Sequence, residues 1–316
     1  PDDNISALRQ LYPNGLHFVV GDTHGQTETL AALMEKIRFD PARDHAYFVG
    51  DYNGGGDVHR LLRYLAAAYE PDPVKPGFHL IRGNHERDRG LYPAYSLRNL
   101  PDIYVLRWPG MNFFIAHAGM VRPAITLIEN DINAHPQQNI FTYRLAHNTS
   151  SDIVMKQITW SMRGLYSQNS HWKVWPSETQ LRNTRACIIH GHAPYCYFRG
   201  PGNHYGDKTL FFTRQHAFFS EALQSFNIDS DVKGRNKNGE TYRGLSCVCL
   251  EVYDALAAQN GKRLTREAVM QGPNGIFGVP LTYAGSPEQN DIDRILNAAP
   301  QATRIGLDQN ENPVII

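Results

Sequence analysis

Residues 16–38 have the sequence LHFVVGDTHGQTETLAALMEKIR, which joins an apolar run to an amphipathic pattern. The run Leu16–Val20 has the length and β-branched or aromatic content of a buried strand. The segment Gln26–Arg38 carries leucine, methionine and isoleucine at three- and four-residue spacing, which predicts a helix with one apolar face. Between the two lies Gly-Asp-Thr-His-Gly at 21–25. The stretch therefore predicts a strand, a polar turn and a helix in succession.

The same succession recurs further along the chain. Apolar runs at Ala46–Val49 and Phe78–Ile81 flank a second helical pattern at Val58–Tyr69. This alternation of strands and helices is typical of a parallel sheet with helices packed on it. Further strands are predicted at Asn112–Ala116, Cys187–Ile189, Leu210–Thr213 and Leu245–Val252, and further helices at Asp152–Arg163 and Asp291–Ala298. We expect the strands between Cys187 and Asp254 to pair antiparallel.

Composition limits the classes of protein that the chain can belong to. Its 316 residues suffice for one large or two small domains, and its 41% hydrophobic and 20% charged residues are ordinary for a globular protein. Lys plus Arg and Asp plus Glu both number 31, which argues against nucleic acid as a partner. No apolar run approaches the roughly 20 residues of a membrane helix. The four cysteines include no C-x-x-C pair, so we expect no disulfide framework.

Five short motifs follow strand-like runs and carry side chains that bind metals. They are Gly-Asp-Thr-His-Gly at 21–25, Gly-Asp-Tyr-Asn-Gly at 50–54, Gly-Asn-His-Glu at 83–86, His-Ala-Gly at 117–119 and Gly-His-Ala-Pro at 191–194. Ligands of α/β sheets gather outside the carboxyl ends of the strands, which is where these motifs fall. Asp and Asn oxygens and His nitrogens suit divalent metals. Six such side chains can build two adjacent metal sites, which in turn indicate hydrolysis at phosphorus.

Taken in order, the five motifs resemble those of the calcineurin-like metallophosphoesterase superfamily, and most closely its phosphoprotein phosphatase branch. The resemblance covers residues 16–254, although only the motifs are close. It implies an α/β (α+β) fold in which two mixed sheets form a central β-sandwich flanked by helices. We expect one domain over residues 1–316, with 120–185 as an excursion over the active-site face and 255–316 as a C-terminal extension.

The resemblance also implies a role for each candidate metal ligand. Asp22 and His24 would bind the first metal, and Asp51 would bridge both metals. The ligands implied for the second metal are Asn84, His117 and His192. The two divalent ions would be Mn, with Fe or Zn as alternatives, and the resemblance implies that a water activated by both attacks phosphorus directly.

His85 follows the ligand Asn84, and the resemblance makes it the general acid that protonates the leaving group. This sequence departs from the family pattern GDYVDRG. Gly54 stands where the family places an Asp that orients this His, and Gly55 stands where the family places an Arg that binds phosphate. Asp57 is the nearest carboxylate that could orient His85, although it is also a good N-cap for the helix that begins at Val58.

Three arginines are candidate phosphate-binding residues, since a guanidinium can donate two parallel hydrogen bonds to phosphate. Arg163, in Trp-Ser-Met-Arg-Gly, resembles a phosphate-binding arginine of the family. Arg87 follows Gly-Asn-His-Glu, and Arg122 follows His-Ala-Gly. A solvated surface position is the alternative for each of them.

The sequence leaves several functions open. The leading hypothesis is a metal-dependent phosphoserine/phosphothreonine phosphatase that acts on a phosphorylated protein, with phosphotyrosine as an alternative because the glycines leave room for a bulky side chain. A dinucleoside-polyphosphate hydrolase or phosphodiesterase on the same fold is the second hypothesis, and a non-enzymatic binding scaffold is the third. We expect a cytoplasmic protein, or one delivered into a host cell, because the chain is also similar to bacterial effector phosphatases. The oligomeric state is left open.

Overall fold

The computed structural model describes residues 3–88, 100–120, 122–144, 185–192, 210–213, 217–221, 224–230, 232, 244–281, 305–307 and 313–315. The helices within these ranges are α1 Asp3–Leu11, α2 Thr27–Lys36, α3 Val58–Ala66, α4 Asn84–Asp88, α5 Arg122–Ala134, α6 Leu250–Gln259 and α7 Arg266–Gln271. The strands are β1 His17–Val20, β2 His45–Phe48, β3 Gly77–Leu80, β4 Ile103–Arg107, β5 Asn112–Ala116, β6 Ile140–Tyr143, β7 Ala186–His190, β8 Leu210–Thr213, β9 Ala217–Ser220, β10 Ser225–Asn227, β11 Gly244–Cys249, β12 Ile276–Pro280, β13 Ile305–Leu307 and β14 Pro313–Ile315.

Two mixed sheets are built from these strands. Sheet A has the order β12-β11-β1-β2-β3, in which β1, β2 and β3 run parallel while β11 is antiparallel to both of its neighbours. Sheet B has the order β6-β4-β5-β7-β10-β9-β8, and its β5, β7 and β10 are parallel neighbours. The hairpin of β13 and β14 forms a separate two-stranded sheet.

One buried core lies between the sheets. It joins Phe18 and Phe48 of sheet A to Phe113, Phe219 and Phe226 of sheet B in a single cluster of apolar side chains. The other face of sheet B is covered by α5, which buries three isoleucines against that sheet. The predicted architecture, an α/β fold with two mixed sheets flanked by helices, is therefore confirmed.

The first half follows the predicted pattern closely. The helix predicted at Gln26–Arg38 is α2, and the one predicted at Val58–Tyr69 is α3, so each is shorter by a few residues. Helix α2 buries Leu30, Leu33 and Met34, the residues whose spacing predicted it. The helices predicted at Asp152–Arg163 and Asp291–Ala298 lie outside the described residues.

The second half corrects several expectations. The strand predicted at Leu245–Val252 ends at Cys249, and Leu250 already begins α6, because a continuous apolar run has no period that separates a buried strand from a buried helix. The strand β7 is parallel to both of its neighbours, so the expectation of antiparallel pairing is wrong for that strand. Within 120–185, the described residues include α5 and the edge strand β6. Beyond Ala255, α7 and β12 were not predicted, and β12 completes sheet A.

Candidate metal centre

The strand ends bring the six candidate metal ligands to one place. Asp22 and His24 follow β1, Asp51 follows β2, and Asn84 begins α4 just after β3. Because these strands are parallel, their carboxyl ends lie at the same edge of sheet A. The two remaining ligands, His117 and His192, follow the parallel neighbours β5 and β7 of sheet B.

The first group of acceptors surrounds His24. Its Nε2 lies 3.9 Å from Asp22 Oδ2 and 3.8 Å from Asp51 Oδ2. Its Nδ1 lies 2.8 Å from the carbonyl oxygen of Asn53, which can only accept, so Nδ1 carries the proton. The lone pair of Nε2 therefore faces the carboxylates, as a metal ligand requires.

The second group surrounds His117, whose Nδ1 donates to the carbonyl oxygen of Val49 at 2.8 Å. Its Nε2 is thereby left with a lone pair, and it lies 3.3 Å from Asp51 Oδ1 and 3.0 Å from His192 Nδ1. Asn84 Oδ1 lies 2.8 Å from the same Nε2 and 2.9 Å from His192 Nδ1. A carboxylate, an amide oxygen and two imidazole nitrogens thus converge on a buried point.

Such crowding of acceptors is unfavourable unless a cation or a donor lies among them. The amide of Asn84 can supply a donor if it is rotated, since its nitrogen would then donate to His117 Nε2 at 2.8 Å and to His192 Nδ1 at 2.9 Å. A bound divalent cation would instead be met by the amide oxygen. The donor set of nitrogen and oxygen atoms fits a divalent metal, although it does not select one.

Asp51 belongs to both groups of acceptors. Among the described residues, two sets of three side chains bring ligand atoms within 4.8 Å of one another, and Asp51 is common to them: His24, Asp51 and His85 in one set, and Asp51, His117 and His192 in the other. A carboxylate with one oxygen toward each set can bridge two cations. This arrangement supports the bridging role predicted from the sequence.

The backbone is strained at three of the candidate ligands. His24, Asp51 and His192 have φ angles of 45°, 56° and 74°, in the left-handed region that residues other than glycine rarely adopt. Backbone strain of this kind concentrates at functional sites, where the surrounding structure maintains it. Gly191 is also constrained, because a Cβ atom there would overlap the carboxylate of Asp22.

Glu86 is a buried residue beside the candidate ligands to which the sequence reasoning gave no role. Its buried carboxylate accepts hydrogen bonds from the backbone N–H groups of Asp51, Tyr52 and Gly83, at 2.8, 2.8 and 2.9 Å. Burial and then the charge of Asp51 raise the pKa of Glu86, whereas the three backbone donors lower it and favour the ionised carboxylate. The only sequence signal was its place within Gly-Asn-His-Glu.

Arg82 is a second missed residue and lies just before that motif. Its buried guanidinium binds Asp102, with Nε and Nη2 at 2.9 and 2.7 Å from Oδ1. Its backbone N–H also donates to the carbonyl oxygen of Pro101. The loop that precedes Asn84 is thereby attached to the segment that enters β4.

His85 lies beside the first group of acceptors. Its Nε2 is 3.7 Å from Asp51 Oδ2, and its ring centroid is 5.3 Å from that of His24. Asp57 accepts a hydrogen bond from the backbone N–H of Arg60 at 3.1 Å, which is the N-cap role that the sequence also suggested. The catalytic roles of His85 and Asp57 remain predictions.

The candidate arginines are not tested by the structure. Arg87 is a residue of α4 and Arg122 begins α5, and both helices start close to candidate ligands in the sequence. Arg163 lies outside the described residues. The roles of all three in phosphate binding remain predictions.

The chain thus has a two-sheet sandwich with candidate metal ligands at the ends of its strands. The family model of the calcineurin-like phosphoesterases matches residues 18–230, and the chain belongs to this family. Members of the family use divalent metals, in keeping with the donor set described above. Among the described residues, no helix is long and apolar enough to cross a membrane.

Individual relatives are more distant. A symmetrical bis(5'-nucleosyl)-tetraphosphatase of Aggregatibacter actinomycetemcomitans is 27% identical over 143 residues, which are 40% of this chain and 52% of that protein. The crystal structure of a putative diadenosine tetraphosphatase covers 85% of this chain and 95% of its own at 19% identity and a TM-score of 0.44. A protein serine/threonine phosphatase of Saccharomyces cerevisiae covers 91% and 92% at 15% identity and a TM-score of 0.42. The aligned part of the curated relative is thus about half of its length.

Proposed function

We propose that this chain is a metal-dependent phosphatase that hydrolyses phosphate monoesters on proteins, with phosphoserine and phosphothreonine as its substrates. The observation that carries the proposal is the carboxylate of Asp51, which lies between two buried groups of metal-binding side chains. Asp22 and His24 would hold one cation with Asp51. The residues that would hold the second cation with Asp51 are Asn84, His117 and His192.

Two bound cations would neutralise phosphate oxygens and acidify a water molecule at neutral pH. The chain supplies the orientation of the centre. His24 and His117 are each held in one tautomer by a backbone carbonyl, so that Nε2 points into the pocket. Asp51 is held at its carboxylate by the N–H of His85, which donates to Oδ1 at 3.0 Å.

His85 would act as the general acid. Its imidazole Nε2 lies near the shared carboxylate, and a histidine can carry a proton to an alkoxide leaving group near neutral pH. The hydrogen bond from its backbone to Asp51 keeps His85 beside the carboxylate of Asp51. In this mechanism no side chain of the protein forms a covalent bond to phosphorus.

Two arginines among the described residues are paired with carboxylates. Arg82 is paired with Asp102, and Arg60, in the helix that follows the Asp51 loop, is paired with Glu28 at 3.0 Å. These two cations are therefore engaged with protein carboxylates.

A dinucleoside-polyphosphate hydrolase is the second candidate, and the name of the Aggregatibacter relative favours it. A substrate panel distinguishes the two candidates. The Mn-loaded protein is incubated in parallel with phosphoserine, phosphothreonine and phosphotyrosine peptides, with diadenosine tetraphosphate and with p-nitrophenyl phosphate. We expect the highest kcat/KM on the phosphoserine or phosphothreonine peptides. Preferential cleavage of diadenosine tetraphosphate would transfer the assignment to the second candidate, and inactivity on every substrate would exclude both.

A further inference from the structure

We infer that Glu86 is the positioning residue that holds Asp51 in place to serve both metal sites, an inference that rests on the proposed two-metal centre. Asp51 has to direct one oxygen toward each group of acceptors. It does so from a left-handed backbone conformation, with φ at 56°, directly after the end of β2. This conformation is less favourable for an aspartate than the right-handed one, so contacts with its surroundings stabilise it.

Glu86 provides that support through the backbone. Its Oε2 accepts from the N–H groups of Asp51 and Gly83, and its Oε1 accepts from that of Tyr52. One buried carboxylate thus joins the loop after β2 to the loop after β3. Both loops carry candidate ligands, so their relative position determines whether Asp51 and Asn84 can reach the same ion.

The side chain of Asp51 is held from the same short helix. The backbone N–H of His85 donates to Oδ1 of Asp51. The next residue, Glu86, accepts a hydrogen bond from the backbone N–H of Asp51. Two consecutive residues of α4 therefore hold both ends of Asp51. Gly83 allows this close approach, because a Cβ atom there would overlap Asp51 and lie 2.9 Å from Glu86 Oε2.

The arrangement requires a carboxylate and not merely a residue of the same shape. All three partners are N–H donors, and they lie at both oxygens of Glu86. A glutamine would have to direct its own NH₂ group toward at least one donor. Glu86→Gln is therefore nearly isosteric but removes part of the support, so Asp51 is expected to lose its fixed orientation.

Metal binding is the direct readout. The metal-free protein is titrated with Mn²⁺ alone, and the heat of binding is measured by calorimetry. We expect Glu86→Gln to weaken both binding events by about 10- to 100-fold, which is the usual effect of removing a group that orients a metal ligand. Both events should weaken because Asp51 is shared.

Asp254→Asn is the matched control. Asp254 also accepts two backbone N–H bonds, from Gly110 and Met111 at 2.8 and 3.0 Å, but it anchors the turn between β4 and β5, at the end of β5 opposite His117. Both bonds go to Oδ1, which asparagine retains as its amide oxygen, so this variant should leave both Mn²⁺ affinities unchanged. Wild-type affinities for Glu86→Gln, or equal losses in the two variants, would overturn the inference.

A measurement on the wild-type protein covers the case in which Glu86→Gln does not fold. Hydrogen exchange followed by NMR should show slow exchange for the N–H groups of Asp51, Tyr52 and Gly83, although all three lie outside helices and strands. Rapid exchange at these three positions would overturn the inference. The proposed function fails separately, because a wild-type protein that binds Mn²⁺ but cleaves no phosphoester would contradict the activity and leave the role of Glu86 intact.

Discussion

Histidines lie at the carboxyl ends of β1 in sheet A and β5 in sheet B, and a second set lies within the parallel strands of sheet A. The two sets are used differently. At the carboxyl ends, His24 and His117 bind backbone carbonyls through Nδ1 and direct Nε2 toward carboxylates and other acceptors. Within β1, β2 and β3, His17, His45 and His79 form what we call the histidine ladder. In the ladder, the rings stack on one another, and ring nitrogens lie within hydrogen-bonding distance of protein acceptors or of a neighbouring ring.

The rings of the ladder contact one another and protein acceptors. His17 and His45 stack with ring centroids 4.4 Å apart, and His17 Nδ1 lies 2.8 Å from Glu251 Oε1. His79 donates from Nδ1 to the carbonyl oxygen of Glu70, so its Nε2 can accept from His45 Nδ1 at 3.0 Å. The comparison teaches that histidine alone does not indicate a metal site. What distinguishes a candidate metal cluster is that the ring nitrogen not bound to a backbone carbonyl faces other acceptors.

The largest effect is expected for Asp51→Asn, which tests whether the carboxyl-end cluster binds two metals. Removal of the shared charge should abolish metal binding at both sites. Because the metals supply several kcal/mol of transition-state stabilisation, kcat/KM should fall by about 10³-fold. Metal analysis of the purified variant together with steady-state kinetics checks this result. Retention of two metals per chain would contradict the bridging role.

His85→Ala tests the division of labour within that cluster. The variant should keep its metals and lose about 10²-fold in kcat on alkyl phosphates, which need a proton on the leaving group. The loss should be smaller on p-nitrophenyl phosphate, whose leaving group departs without one. Equal losses on the two kinds of substrate would argue against the general-acid role.

The histidine ladder should respond to acid. Burial, followed by the charges of His17 and His79, lowers the pKa of His45 to about 3, and burial lowers that of His79 to about 4. In the unfolded chain these groups titrate near 6.5, so the unfolded state binds more protons as the pH falls below that value. The stabilisation is therefore complete above about pH 6.5 and is lost toward pH 4. His79 alone should account for about 2 kcal/mol between pH 6.5 and pH 5.

Urea unfolding at pH 7, 6 and 5 measures this loss. His79→Gln should reduce the slope of unfolding free energy against pH, whereas His135→Gln, which changes an exposed histidine, should leave it unchanged. Parallel slopes for all three proteins would show that the ladder does not control the acid response.

The smallest effect is expected for Asp57→Asn. Asparagine caps a helix about as well as aspartate, so α3 should keep its stability, whereas Asp57→Ala should cost about 1 kcal/mol. If capping is the role of Asp57, kcat for the asparagine variant stays within about twofold of the wild-type value, because a surface change away from the site has little effect. A large decrease in kcat together with a shifted pH profile would instead assign Asp57 to the orientation of His85.

Much of the first half could be predicted because its signals are local. The strands β1, β2 and β3 and the helices α2 and α3 each have the period or composition of their element within a few residues. Strand β12 could not be found in this way, because its short segment becomes a strand only by pairing with β11. The end of β11 at Cys249 was also missed, since the apolar run continues unchanged into α6.

The sequence by itself determined which side chains could bind metals and that each would stand at the end of a strand. Both properties depend on residue type and on neighbours in the chain. Only the tertiary structure decided that Asp51 faces two groups of acceptors, that Glu86 holds its backbone, and that the other histidines of sheet A form a closed ladder. These outcomes depend on strand order and on hydrogen bonds between residues about 30 or more positions apart, which no local pattern encodes.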